Sequence, residues 1–185
     1  MPLKRMSPGN VTHRRMQVET MAHFRYKRSQ KVVAMEVWDM DVVSIHNSKM
    51  YEYEIKRELG DLKKDAKKRK HTQYKTAGRD SYPEYFYYVV TEELVEQAKV
   101  QVDLLNSSYG IIMYEPAYYT KNGVVTPHLT VVKRAKEMKR NRSKSRLDKQ
   151  ISDIHARNAS AVIIAEISLM NGKGDIVQGV NKPIR

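Results

Sequence analysis

The stretch Asp39–Lys56, read DMDVVSIHNSKMYEYEIK, leaves a chain little freedom. Its second half alternates: Tyr51, Tyr53 and Ile55 fall on one side, Glu52, Glu54 and Lys56 on the other, the period of a β-strand. Asn47-Ser48 is a natural two-residue hairpin loop, and it would set His46 opposite Lys49. Stepping outward in that register places Asp41 opposite Glu54, and Asp39 opposite Lys56. Two carboxylates across a ladder stand about 5 Å apart at Cβ and repel unless a cation lies between them. A divalent ion with a lysine beside it is the arrangement that hydrolyses phosphodiesters.

Around this hairpin the pattern predicts an α/β domain. Val11–Arg28 is weakly helical and rich in basic residues, and the run KVVAMEVW before Asp39 reads as a first strand. Gly60 breaks the pattern, and Asp61 is placed to cap a polar helix running to about Thr76. YFYYVV (85–90) and GIIMY (110–114) have the continuous apolar character of strands buried on both faces. Between them Thr91 is positioned as the N-cap of a helix carrying Leu94, Val95, Ala98, Val102 and Leu105. Strand, helix and strand in so short a span form a βαβ unit, so a mixed sheet covered by helices follows. Asn122-Gly123 predicts a second hairpin, joining 117–121 to 124–132. Leu147, Ile151 and Ile154 then mark an amphipathic helix. Ser160–Met170 suits either a continuation of that helix, the reading we favour, or a strand paired with Asp175–Val180. Three regions result: a flexible leader (1–10), a core domain (11–132) and a basic, largely helical extension (133–185).

Charge indicates the partner. The chain carries 34 Lys and Arg against 21 Asp and Glu, a net charge of +13, which points to a polyanion such as nucleic acid. Nine basic residues lie between Lys56 and Lys75, and nine more, against two acids, between Lys133 and Lys149. Lys63 and Lys67 of the first set, and Lys133, Arg134, Lys136, Arg140 and Arg142 of the second, are the candidates for nucleic-acid contact. Cysteine is absent, which rules out a disulfide framework, a zinc-thiolate site and a cysteine nucleophile. The histidines are scattered, with no helical pair to hold zinc. No apolar run reaches the roughly 18 residues of a membrane span, and the start lacks a signal peptide's apolar core. A cytoplasmic protein with no membrane partner is expected. Ser160–Met170 would serve as the interface of a homodimer.

The (Asp/Glu)-x-Lys tripeptide occurs four times, where about two are expected by chance. Only Glu54-Ile55-Lys56 lies in a strand with an acid across from it. Oxygen ligands suit Mg²⁺ or Mn²⁺, and Asp41, Glu54 and the Ile55 carbonyl offer them. Lys56 would then orient the attacking water and offset charge on phosphorus. Glu19 on the first helix is the candidate for a further carboxylate, with Glu36 behind it. The alternative is a surface hairpin of solvated ion pairs.

This order of elements resembles the PD-(D/E)xK nuclease superfamily. Within it, residues 11–115 are most similar to the MmcB-like DNA repair proteins. Met40-Asp41-Val42-Val43-Ser44-Ile45 and Glu54-Ile55-Lys56 stand where those proteins have Ala-Asp-Leu-Val-Ala-Leu and Glu-Ile-Lys. Asp61, Asp65 and Lys67 follow at that family's spacing, and the resemblance implies a DNA contact for Gln73, since some nucleases of the superfamily carry a glutamine there. The Asp41–Glu54 interval is also similar to that of archaeal Holliday junction resolvases. Met40 stands in place of the superfamily's proline, Arg57-Glu58 in place of two serines, and Lys68 in place of a tryptophan. The resemblance implies a restriction-endonuclease-like core (αβββαβ) and a Mg²⁺- or Mn²⁺-dependent deoxyribonuclease, an endonuclease rather than an exonuclease. Its substrate would be duplex or branched DNA, in repair or recombination. A catalytically silent nucleic-acid binder of the same fold is the alternative, and an RNA-bound interaction protein is a third reading.

Overall fold

The computed structural model describes residues 11–75, 82–120, 123–125 and 127–171, with backbone only at 118–120, 123–125 and 158–171. The leader, residues 76–81, the Asn122 turn and the tail after Asn171 lie outside the described residues, as do the side chains proposed for a dimer interface.

A six-stranded mixed sheet forms the centre, in the order β1-β2-β3-β4-β5-β8. β1 (Val32–Val37), β2 (Met40–His46) and β3 (Lys49–Lys56) make an antiparallel meander. β4 (Tyr85–Thr91) and β5 (Gly110–Glu115) add parallel strands, and β8 (His128–Lys133) closes the far edge antiparallel to β5. β6 (Tyr118–Thr120) and β7 (Gly123–Val125) pair only with each other. The expected second hairpin is therefore shorter, and its return strand ends before β8 joins the main sheet.

Both turns of the meander contain two residues in the left-handed region: Asn47 and Ser48 at φ 49° and 60°, and Trp38 and Asp39 at 52° and 63°. That is the twist-compatible hairpin turn. The register His46↔Lys49 through Val42↔Tyr53 is the expected one. Asp39, by contrast, is a turn residue of the first hairpin and does not face Lys56.

Helices cover both faces. α1 (His13–Ala22), capped by Thr12 Oγ1 accepting from Arg15 N at 3.1 Å, continues into a π-helical turn, His23–Lys27. These elements pack Met16, Met21 and Phe24 against Val42, Tyr53, Ile55 and Val89. The other face holds α2 (Leu59–Asp65), α3 (Arg69–Tyr74) and α4 (Val95–Leu105) over Phe86, Tyr88 and Ile111. α5 (Lys144–Asn171) lies on that same face over the meander, burying Ile154 against Ala34, Val43 and Met50. Its backbone stays helical through Asn171, the reading favoured for 160–170. No helix of the described residues is long and apolar enough to cross a membrane.

Two local expectations change. The polar helix after Gly60 starts at Leu59, with Gly60 inside its first turn, and it breaks at 66–68, where Lys68 is extended (ψ 135°). Thr91 ends β4 and makes no side-chain cap, and a 3-10 turn, Glu92–Leu94, precedes α4.

Candidate active site

β3 divides its side chains as the alternation requires. Tyr53 and Ile55 enter the core under α1, whereas Glu52, Glu54 and Lys56 are buried toward α2 and α3. Lys56 Nζ lies 2.7 Å from Glu54 Oε1 and 3.0 Å from Asp65 Oδ1. The break between α2 and α3 swings two more ammonium groups inward. Lys68 Nζ reaches Glu54 Oε1 at 2.8 Å and Asp65 Oδ1 at 2.7 Å, and Lys70 Nζ reaches Glu54 Oε2 at 2.5 Å and Glu52 Oε1 at 2.9 Å. Three carboxylates and three lysines thus balance in charge.

Hydroxyl and imidazole groups complete this cluster. Tyr74 donates to Glu52 Oε2 at 2.6 Å, Tyr88 donates to Asp65 Oδ2 at 2.7 Å, and His71 Nε2 lies 2.8 Å from the same oxygen. Burial disfavours the Asp65 anion, but the His71 hydrogen bond and the Lys56 charge outweigh it and hold its carboxyl far below the usual range. Burial dominates at Glu52 and, with Glu54 beside it, pushes that carboxyl up despite Lys70. Lys70 is raised because the charges of Glu52 and Glu54 exceed its desolvation.

Asp41 belongs to a second cluster, and the reason is local. Glu36, at φ 53°, interrupts the β1–β2 ladder between the pairs Met35↔Val42 and Val37↔Met40. Alternation reverses there: Met35 and Val42 pack under α1, Val37 and Met40 under α5. Asp41, in the gap, turns its carboxylate to α1, where Oδ1 meets His13 Nε2 at 3.1 Å and Gln17 Nε2 at 3.0 Å. Its other oxygen accepts the main-chain N–H of Ile55 at 2.8 Å. Burial opposes the anion, but the bond and charge of His13, then the Ile55 amide and Lys56, hold the carboxyl below its ordinary value. Asp41 therefore touches the peptide link between Glu54 and Ile55, while the Glu54 carboxylate projects to the lysines.

The other expected residues divide. Glu19 is buried but turned toward β5: it receives Arg15 Nε at 2.8 Å, the Tyr114 hydroxyl at 2.6 Å and Ala117 N at 3.2 Å. Glu36 is exposed and pairs with Arg14 at 2.9 Å. Lys63, Lys67, Arg134 and Lys136 are exposed. Gln73, with Trp38, Lys70 and Arg146, lines a cleft of about 300 Å³ beside the lysine cluster. Lys133, Arg140 and Arg142 are engaged within the chain. Lys133 donates to Ser107 O and Tyr109 O, Arg140 to Pro83 O and Tyr74 O, and Arg142 forms a buried ion pair with Glu84 at 2.7 Å. These three fasten the extended segment 134–143 to the body of the protein.

His13, Gln17, Lys68, Lys70, Asp65 and His71 were not among the expected site residues. One signal was available for Asp65: it follows the buried Leu62 by one helical turn, so it shares Leu62's inward face. Among the described residues no three His, Cys, Asp or Glu side chains converge as a ligand set for a metal. Compared with protein-family models, with curated proteins and with solved structures, the chain finds no match in any of the three.

Proposed function

We propose that this chain is a metal-dependent deoxyribonuclease with a restriction-endonuclease-like core, centred on Asp41, Glu54 and Lys56. The observation that carries the reading is the 2.8 Å bond from Ile55 N to Asp41 Oδ2, which brings the acid of β2 to the peptide joining Glu54 to Ile55. Asp41, Glu54 and the Ile55 carbonyl are hard oxygens of the kind Mg²⁺ or Mn²⁺ takes. The Asp41 carboxylate is turned to α1 and that of Glu54 to the lysines, so sharing one ion requires a carboxylate to re-aim. Cations already stand at Glu54, since the ammonium groups of Lys68 and Lys70 meet its two oxygens. Lys68 is half exposed and is the one free to yield its place. Such an ion, when bound, polarises a phosphate oxygen and activates water.

The chain's own groups supply the rest. Lys56, fixed between Glu54 and Asp65, sets a positive charge beside the Glu54 carboxylate, suited to a phosphate's developing charge. His13 and Gln17 hold the Asp41 carboxylate in orientation. Exposed Lys63, Lys67, Arg134 and Lys136, together with the cleft at Trp38 and Gln73, offer the surface for a DNA backbone.

A second reading has its own observation: both Glu54 oxygens carry lysine ammonium groups, so charge is balanced without a metal. That favours a nucleic-acid binder without catalysis. Asp41→Ala distinguishes the two. The nuclease reading expects Mg²⁺- or Mn²⁺-dependent cleavage by the wild type, abolished in the variant with DNA affinity retained. If the wild type cuts no single strand, duplex, flap or four-way junction, the second reading stands.

A further inference from the structure

The face of the sheet opposite the lysine cluster holds a cavity that the proposed chemistry does not use. It measures about 180 Å³ and lies where the π-helical turn passes over β3, β4 and β5. That is smaller than the ~300–1,000 Å³ of pockets for drug-sized ligands, and suits one small ring system. The π-helical turn ends α1 and carries His23 and Phe24 onto the cavity.

Its walls are aromatic and nearly parallel. Phe24 stacks on Tyr53 with centroids 4.1 Å apart at 23°, Tyr53 is 5.9 Å from Tyr87 at 19°, and Tyr51 stacks on Tyr85 at 4.6 Å and 12°. Tyr51 and Tyr87 are only partly buried and line the cavity. Two polar atoms among the lining residues lack partners. Gln30 Oε1 and His23 Nδ1 are buried and make no hydrogen bond, although their residues are only 9% and 7% exposed. A buried acceptor without a partner costs about 1–3 kcal/mol, which a ligand carrying complementary donors would recover. Exposed Arg28 stands among the lining residues.

Flat aromatic walls, two unsatisfied hydrogen-bonding atoms and an arginine correspond to a base, its polar edge and its phosphate. We propose that this cavity binds a single unpaired nucleobase, with Gln30 and His23 reading its edge, Tyr51 and Tyr87 stacking on its face, and Arg28 meeting the attached phosphate. Stacking of this kind tolerates any base and favours single strands over duplex. The site is independent of catalysis at Asp41 and Glu54, and the proposal stands whether or not the chain cleaves DNA.

Fluorescence anisotropy in EDTA, with a labelled single-stranded decamer and the same sequence as a duplex, tests it. Gln30→Leu removes the acceptor, and Val131→Glu places a carboxylate at the cavity's edge, where Val131 is 45% exposed and the change leaves the core intact. Each variant is expected to weaken single-strand binding about tenfold while changing duplex binding far less. Mononucleotides added as competitors separate a free nucleotide from a base within a strand. Displacement at millimolar concentration assigns the cavity to either, and no displacement assigns it to the strand. If both variants hold the single-strand to duplex affinity ratio of the wild type, the cavity is not a base site.

Discussion

Asp65 Oδ1 stands 3.0 Å from Lys56 Nζ, and the same carboxylate is held from its other oxygen by His71 and Tyr88. Lys56 is thus oriented from outside its own strand, by a helix residue that is itself fixed by hydrogen bonds. Asp65→Asn should leave Lys56 and Lys68 undercompensated next to a buried histidine. Removing one partner of a buried pair costs about 3–5 kcal/mol, so a loss on that scale is expected in urea unfolding. An unchanged midpoint would falsify the assignment of Lys56 to this network.

Lys68 competes with any metal for Glu54 Oε1. Lys68→Met should therefore raise Mn²⁺ affinity several-fold, measured by calorimetry without substrate. The gain is limited because half-exposed ion pairs contribute about 1 kcal/mol at most. Equal or weaker affinity would show that Glu54 is not a ligand.

Burial lowers the His23 pKa from 6.5 to about 4, with the charges of Arg28, Lys27 and His128 adding to it. The unfolded chain takes up this proton near pH 6.5, and the folded chain only near 4. The contribution to stability is therefore whole above 6.5 and is lost as pH falls toward 4, by about 3 kcal/mol. His23→Leu should flatten the unfolding midpoint across that window relative to the wild type. Two curves of the same slope would refute it.

Arg142 is buried against Glu84, whose Oε2 also accepts from Met50 N at 2.7 Å. Arg142→Ala should destabilise by about 3–5 kcal/mol and expose segment 134–143 to proteases. Changing the exposed Arg134 or Lys136 to Ala should do neither. Either change should instead flatten the salt dependence of DNA binding, by about one unit for each phosphate no longer neutralised. If Arg142→Ala behaves like the exposed pair, the segment is not anchored as described.

The meander was legible because Asn47-Ser48 and the alternation of Tyr51–Lys56 together permit one register, and a slip would invert every side chain. The βαβ unit was legible from the unbroken apolar runs of β4 and β5. The turning of Asp41 toward α1 was not, since it depends on a single positive φ at Glu36 in the neighbouring strand, which nothing in the composition of β2 records. The approach of Lys68 and Lys70 to Glu54 was hidden for a similar reason. A continuous helix was expected there, and only its break at 66–68 gives those lysines the phase that points inward. Glu19 is a third case: its inward face was readable, but its choice of Tyr114 over Asp41 depends on how α1 lies across β5.

Both connections in the β1–β2–β3 meander close over two residues. Little chain entropy is lost in bringing Asp41 to Ile55, because closure cost grows with loop length. A nascent or refolding polypeptide can assemble this corner from consecutive residues, whereas β4 must find β3 across a long stretch of chain, as in the pair Tyr51↔Tyr85. Amide protection in a pulse-labelling experiment would then arise first within the β1–β2–β3 meander, and the ladder between β3 and β4 would acquire it later.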